Sequence, residues 1–153
     1  MAPDYTKDFA ILSFASEDTI AAVLIQKNSD NLEQPISFFS KTLRDSELKY
    51  NTMEKQAYAL VKALNFFRIY VLHSKVVAYV PNAAVKEILV QPDSKGKRGR
   101  WIAKVMEYDV EIKPTKLVKE QGLAKLLTES NCQVLNLHVM EEQLEQVMAT
   151  EHS

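Results

Sequence analysis

The chain has 153 residues, 46% of them hydrophobic and 25% charged, with a formal net charge of −1, one cysteine and three glycines. That length suits a single domain burying roughly 68–70% of its unfolded surface, and near-neutral charge excludes a global electrostatic argument for nucleic acid or membrane, leaving only local patches. The lone Cys132, the lack of any 18-residue apolar run or basic-then-apolar leader, and the absence of GxGxxG or GxxxxGK[ST] exclude a disulfide framework, a membrane helix, a secretory signal and a glycine-rich phosphate loop, so the sequence reads as a soluble intracellular protein.

Residues 9–14 (FAILSF) and 19–26 (TIAAVLIQ) are apolar, β-branched runs that predict two adjacent strands around a short turn. Residues 35–40 (PISFFS) predict a third strand, entered by Pro35, which fits only at a strand start or edge. In residues 50–72 the apolar positions Met53, Ala57, Leu60, Val61, Leu64, Phe67 and Val71 step by threes and fours, which predicts one core helix of about five turns. Glu54, Lys55, Lys62 and Arg68 lie off that stripe, and Asp45 and Glu47 precede it, where a helix start favours negative charge.

Residues 75–80 (KVVAYV) predict a fourth strand, stopped by Pro81, and Asn82 is placed to cap a short helix over 83–90. Residues 91–99 carry turn residues, 100–107 predict a helix, and 108–112 (YDVEI) alternate as a fifth strand before Pro114. A last helix opens at 122–127. The order β-β-β-α-β-α-α-β-α predicts an α/β fold with a mixed five-stranded sheet, in which three antiparallel strands are followed by a helical crossover to a parallel partner. Met53, Met106, Met140 and Met148 fall at apolar positions and are expected in the core or a helix seam.

The domain is expected to span residues 1–129, with 130–153 a helical tail or linker. In that tail Leu137, Met140, Leu144 and Val147 step by three, four and three. This is a heptad-like seam, but two heptads are fewer than the three or four that argue a coiled coil, so packing back on the domain and serving as a linker both stand. His73, His138 and His152 show no ligand spacing with one another or with Cys132, so no zinc site is expected.

The element order, with the phrases ASEDTIAAVLIQ, PISFFSKTL, YNTMEKQAYALVKAL, FRIYVLHSK, GRW and EYDVEI, resembles the RNase H-like domain that follows the reverse transcriptase in gypsy-type LTR retrotransposon polyproteins, plant elements in particular. Together the phrases span most of residues 8–129. The resemblance implies an RNase H-like fold. In active members it implies two Mg²⁺ ions held by four carboxylates, because paired divalent ions need clustered anionic oxygens to offset their charge and to place the attacking water.

Carried over phrase by phrase, those four positions are occupied here by other residues. Phe14 stands at the aspartate of a T-D-A-S phrase (here SFAS), and Gln56 at the second glutamate of E-K-E-L-L-A (here EKQAYA). Pro81 stands at the aspartate of T-D-H (here VPN), and Lys125 at the aspartate of A-D-A-L (here AKLL). Glu17 and Asp18 lie past Phe14 in the turn, and Glu54 lies about 200° round the helix from Gln56, so none is placed to substitute. No catalytic residue and no bound metal are therefore expected, and Phe14 and Gln56 are read as packing residues.

One concentrated positive patch remains: Lys95, Lys97, Arg98 and Arg100, with Lys104 beyond Trp101. It suits contact with the phosphates of an RNA–DNA hybrid or template-primer, and equally suits a solvated loop with Trp101 simply in the core. The resemblance implies a non-catalytic tether joining polymerase to downstream domains of the polyprotein, cytoplasmic or inside element particles, with weak hybrid contact and no membrane or cofactor. A nuclease using displaced carboxylates and a host-recruited binding module are the competing readings.

Overall fold

The computed structural model describes residues 3–30, 32–91 and 95–114. The expected last helix at 122–127, Lys125 and the tail with its seam lie outside the described residues. Five strands form one sheet in the order β3-β2-β1-β4-β5. β1 (Phe9–Ala15), β2 (Thr19–Lys27) and β3 (Glu33–Thr42) are antiparallel neighbours, while β4 (Lys75–Val80) runs parallel to β1 and β5 (Asp109–Pro114) parallel to β4. The expected meander and parallel crossover are both present. Pro35 sits on the edge strand β3 at a bulge, where the register slips between Leu24 and Ile25, so its missing N–H costs no ladder bond in the sheet interior.

Helices lie against one face of this sheet. Phe9, Ile11 and Ala15 of β1, Ile20, Ala22 and Leu24 of β2, and Val76, Ala78 and Val80 of β4 share one buried cluster with Ala57, Leu60 and Leu64 of α2 (Thr52–Phe66). By the two-residue period of a strand, Leu12, Phe14, Ala21 and Val23 occupy the opposite face, and they are buried as well. α4 (Ala83–Val90) and α5 (Gly96–Val105) pack beside α2, with α4 also against β5.

The structure corrects four sequence expectations. The helix over 50–72 is not continuous: α2 ends at Phe66, Phe67 leaves the helical region at φ −89° and ψ 10°, and α3 (Arg68–Val71) is a separate turn. Phe67 is fully buried where the helix breaks, and a one-turn α1 (Asp45–Leu48) precedes α2. Glu54 and Lys55 are buried rather than facing solvent, because α2 is covered by α5 and by the β1–β2 turn as well as by the sheet. The basic run is helical from Gly96, whose φ of +66° favours a residue without a Cβ, so Lys97 and Arg98 project from a helix and not a loop, in the helix expected for Arg100. Met106 is 77% exposed, since it caps α5 and projects past the last turn that reaches the core, whereas Met53 packs against the core as expected.

Candidate functional site

Parallel β1 and β4 end on the same edge of the sheet. Their paired register runs to Leu12↔Tyr79, and two residues further along each strand stand Phe14 and Pro81. The first turns of α2 reach this edge too. Asn51 caps the helix, accepting from the Glu54 N–H at 2.8 Å, and the Lys55 ammonium donates to the Glu17 carbonyl in the β1–β2 turn. On the other side the Asn82 amide donates to the Met53 sulfur at 3.3 Å, tying α2 to the residue after Pro81. Asn82 also accepts from the Ala84 and Val85 N–H groups, so the expected cap is formed. Phe14, Gln56 and Pro81, distant in sequence, thus sit on elements that converge.

Their chemistry is apolar or neutral. Phe14 has no exposed surface, Gln56 is 1% exposed, and Pro81 is half-buried. The Gln56 amide oxygen and the Ser13 hydroxyl are buried with no hydrogen-bond partner among the described residues. Phe14 offers a cation no oxygen, Pro81 no side-chain acceptor and Gln56 only an uncharged one. Among the described residues no three His, Cys, Asp or Glu side chains stand together to hold an ion. These positions do not fit Mg²⁺, whose ligands are hard and mostly anionic oxygens.

Two of the three nearby acids, Glu54 and Asp18, are engaged elsewhere. Glu54 Oε2 accepts from Arg98 Nε at 3.0 Å and lies 3.2 Å from Lys97 Nζ. Burial pushes the Glu54 carboxyl up, but the hydrogen bonds from Arg98, Lys97 and the Asn51 backbone outweigh it and hold the group below the usual carboxylate range. The Asp18 carboxylate accepts from the Ser16 and Thr19 hydroxyls within its own turn.

Of the basic residues singled out from sequence, Lys97 and Arg98 are therefore bound to Glu54, and Lys104 lies 3.7 Å from Glu107. Lys95 and Arg100 are exposed. Sequence reading missed the surroundings of Glu47. Its buried carboxylate accepts from the Tyr58 hydroxyl, from the Arg44 N–H at 2.9 Å and from the Arg44 guanidinium at 3.3 Å, with Lys41 Nζ at 3.5 Å. Tyr58 belongs with Tyr50 and Trp101 to a triad whose ring centroids are 5.6–5.7 Å apart. The signal was there, as Lys41, Arg44 and Glu47 are close in sequence, but only the fold brings Tyr58 to them.

Residues 4–108 match a family model described as the RNase H-like domain found in reverse transcriptase. The chain belongs to this family. Among its relatives are two proteins of Drosophila melanogaster. The retrovirus-related Pol polyprotein from transposon 297 is 32% identical over 126 residues, covering 82% of this chain and 11% of the relative. That from transposon opus is 30% identical over 155 residues, covering 99% of this chain and 15% of the relative. The RNase H-like chain thus spans less than a sixth of these polyproteins. Among solved structures, the native protease-reverse transcriptase of prototype foamy virus aligns with a TM-score of 0.62 at 15% identity over 78% of this chain and 16% of that one. The foamy viral enzyme in complex with RNA/DNA hybrid aligns with a TM-score of 0.59 at 19% identity over 76% of this chain and 16% of that one. At these identities the likeness is one of fold. Among the described residues no helix is long and apolar enough to cross a membrane.

Proposed function

We propose that this RNase H-like domain is a non-catalytic tether within a gypsy-type retrotransposon polyprotein, connecting the polymerase to downstream domains and resting against the template-primer. One observation supports the reading: the three described positions at which active relatives would hold carboxylates, at the neighbouring ends of β1 and β4 and in the first turns of α2, carry a phenylalanine, a proline and a glutamine. A two-ion mechanism needs anionic oxygens there, and two of the nearby acids, Glu54 and Asp18, are spent on a salt bridge and on a turn. The domain keeps what a tether needs, a packed core and a cationic surface. The foamy viral relatives of like fold, solved on double-stranded DNA and on RNA/DNA hybrid, make the template-primer the natural partner for that surface.

The test is cleavage of an RNA–DNA hybrid by the purified chain in Mg²⁺ or Mn²⁺, with no turnover expected. Cleavage that follows the protein through purification and disappears in Asp18→Asn or Glu54→Gln would overturn the reading in favour of a nuclease with displaced carboxylates.

A further inference from the structure

Five of the seven large hydrophobic side chains exposed among the described residues gather at one pole of the domain. β1, β3, β4 and β5 start at this pole and β2 ends at it, opposite the strand ends that lead to Phe14 and Pro81. Tyr5 leads into β1, Leu32 lies in the turn between β2 and β3, Phe66 ends α2, Ile69 stands on α3 before β4, and Met106 follows α5 just ahead of β5. Phe66 rests on Phe39 of β3 with ring centroids 5.0 Å apart, and Arg68 Nη1 lies 3.2 Å from Glu107 Oε1, which brings α3 beside the end of α5. The five side chains are 48–80% exposed. Spread across five strands about 4.8 Å apart, the row is roughly 19 Å wide. The other two stand singly, Leu48 on α1 beyond the far end of β3 and Val90 at the end of α4.

Single exposed hydrophobic residues are ordinary on a protein surface, whereas several grouped together mark a contact. Lys7, Asp8, Lys27 and Asp30 around the pole are exposed and of both signs. An apolar centre inside a mixed polar rim is the anatomy of a protein–protein contact, and the two aspartates set it apart from a surface for anionic lipid or another polyanion. What covers the pole follows from the path of the chain. The Asp4 N–H donates to Gln26 Oε1 at 2.7 Å, and Gln26 Nε2 donates back to the Asp4 carbonyl at 2.6 Å. The segment entering β1 is thereby fastened to the end of β2, so polypeptide that precedes such a domain in a polyprotein is delivered onto this pole. The related polyproteins have room for it, since the chain spans only 11% and 15% of the two Drosophila relatives.

We propose that this pole is the docking surface for the domain that immediately precedes β1 in the polyprotein, which presents an apolar face of its own, with Ile69 and Met106 at the centre of the contact. Magnitude favours this occupant over a second copy of the chain. At about 200 Å² for each large side chain, scaled by its exposure, the pole offers roughly 600 Å², or about 1,200 Å² counted on both partners. That lies at the bottom of the range for stable complexes between free proteins, about 1,200–2,000 Å², and well inside the range of about 600–1,500 Å² for domains of one chain. A short covalent link makes up the difference, because it holds the partner at an effective concentration on the order of millimolar. The proposal rests on the tether reading and deepens it: the joint becomes a seated contact on the side of the sheet away from the altered carboxylate positions.

The experiment is amide hydrogen exchange on a fusion. About 200 residues, the length of a large domain, are taken from immediately before the matching region of the transposon 297 Pol polyprotein and joined ahead of the 153-residue chain. The Tyr70, Val71 and Leu72 amides, bonded to the Phe67 and Arg68 carbonyls, report on α3. In the fusion they should exchange at least tenfold more slowly than in the free chain. Ile69→Ser/Met106→Ser should return them to the free-chain rate, with unchanged thermal unfolding because both side chains are exposed. Leu48→Ser, at the other pole, should leave the slowing intact. Unslowed exchange in the fusion, or slowing that survives the double substitution, would overturn the docking surface. So would a dimer of the free chain in sedimentation equilibrium that the double substitution dissolves, which would assign the pole to a second copy. Hybrid cleavage in the separate nuclease assay would strike the tether reading alone, and unslowed exchange without cleavage the docking alone.

Discussion

Arg98 reaches across 44 positions of sequence to place its Nε 3.0 Å from Glu54 Oε2, and in doing so locks the start of α5 onto the start of α2. The carboxylate is buried and its two cationic partners are about one-third exposed, so the pair stands between a surface bridge and a core one. Glu54→Ala removes the shared anion and the capping-box acceptor together, and is expected to destabilise the chain by about 2 kcal/mol. Arg98→Ala should cost less, about 1 kcal/mol, since Lys97 still neutralises Glu54. Urea denaturation of both variants checks the ranking, and equal losses would show that Lys97 contributes nothing.

Acid should loosen the junction of β3, α1 and α2 through Glu47. Burial pushes this carboxyl up, yet hydrogen bonds from the Arg44 backbone, the Tyr58 hydroxyl and the Arg44 guanidinium bring it down from 4.5 to about 2. A depressed carboxyl stabilises the fold fully above its unfolded value and loses that contribution as pH falls through its folded one. Stability should therefore decline between about pH 4.5 and pH 2, by roughly 3 kcal/mol from this group. Glu47→Gln should flatten that part of the profile, and an identical profile in the variant would assign the acid sensitivity elsewhere.

Restoring a carboxylate at the sheet edge should be costly. Phe14→Asp exchanges a fully buried ring for an acid, combining a lost core side chain with the desolvation of a charge. A loss of at least 3 kcal/mol is expected. Thermal unfolding with and without 10 mM Mg²⁺ tests it: a stable, Mg²⁺-responsive variant would mean that the edge still accommodates ions.

Gln56 invites the opposite change. Its amide oxygen is buried without a partner among the described residues, and an unsatisfied buried polar group costs about 1–3 kcal/mol. Gln56→Met keeps the length and removes the orphan, so it should raise stability by about 1 kcal/mol. A drop in the denaturation midpoint would show that the amide has a partner in the folded chain.

The strands were legible because their signals are local: β4 and α4 fall within the bounds that KVVAYV and the Asn82 cap imply, and β1 and β2 differ by a residue at one end. What eluded the sequence depends on contacts between distant segments. Nothing in residues 50–72 marks the break at Phe67, because the apolar spacing continues through it to Val71. Glu54 and Lys55 read only as lying off the apolar stripe, and their burial was not legible because it comes from α5 and the β1–β2 turn, which cover the flanks. The basic run read as a loop because two glycines suggested turns, yet Gly96 supplies the positive φ from which the helix starts. At the candidate site the residue identities could be taken from the family phrases, but their convergence needed the β1–β4 register.

The mixed sheet also sets an order of assembly. β1 and β2 are joined by a tight turn closed by the Ser16 N–H to Thr19 carbonyl bond, so their pairing brings together neighbours in sequence. Pairing β1 with β4 instead requires the chain between residues 15 and 75 to close on itself. That is about four doublings of loop length, or roughly 2–3 kcal/mol of additional closure entropy. The meander can therefore form early, while the parallel half waits for α2 to dock on it and carry β4 into place. The rate of folding then turns on Leu60 and Leu64, which share the buried cluster with β1 and β2 and offset that entropy before β4 contributes a single hydrogen bond.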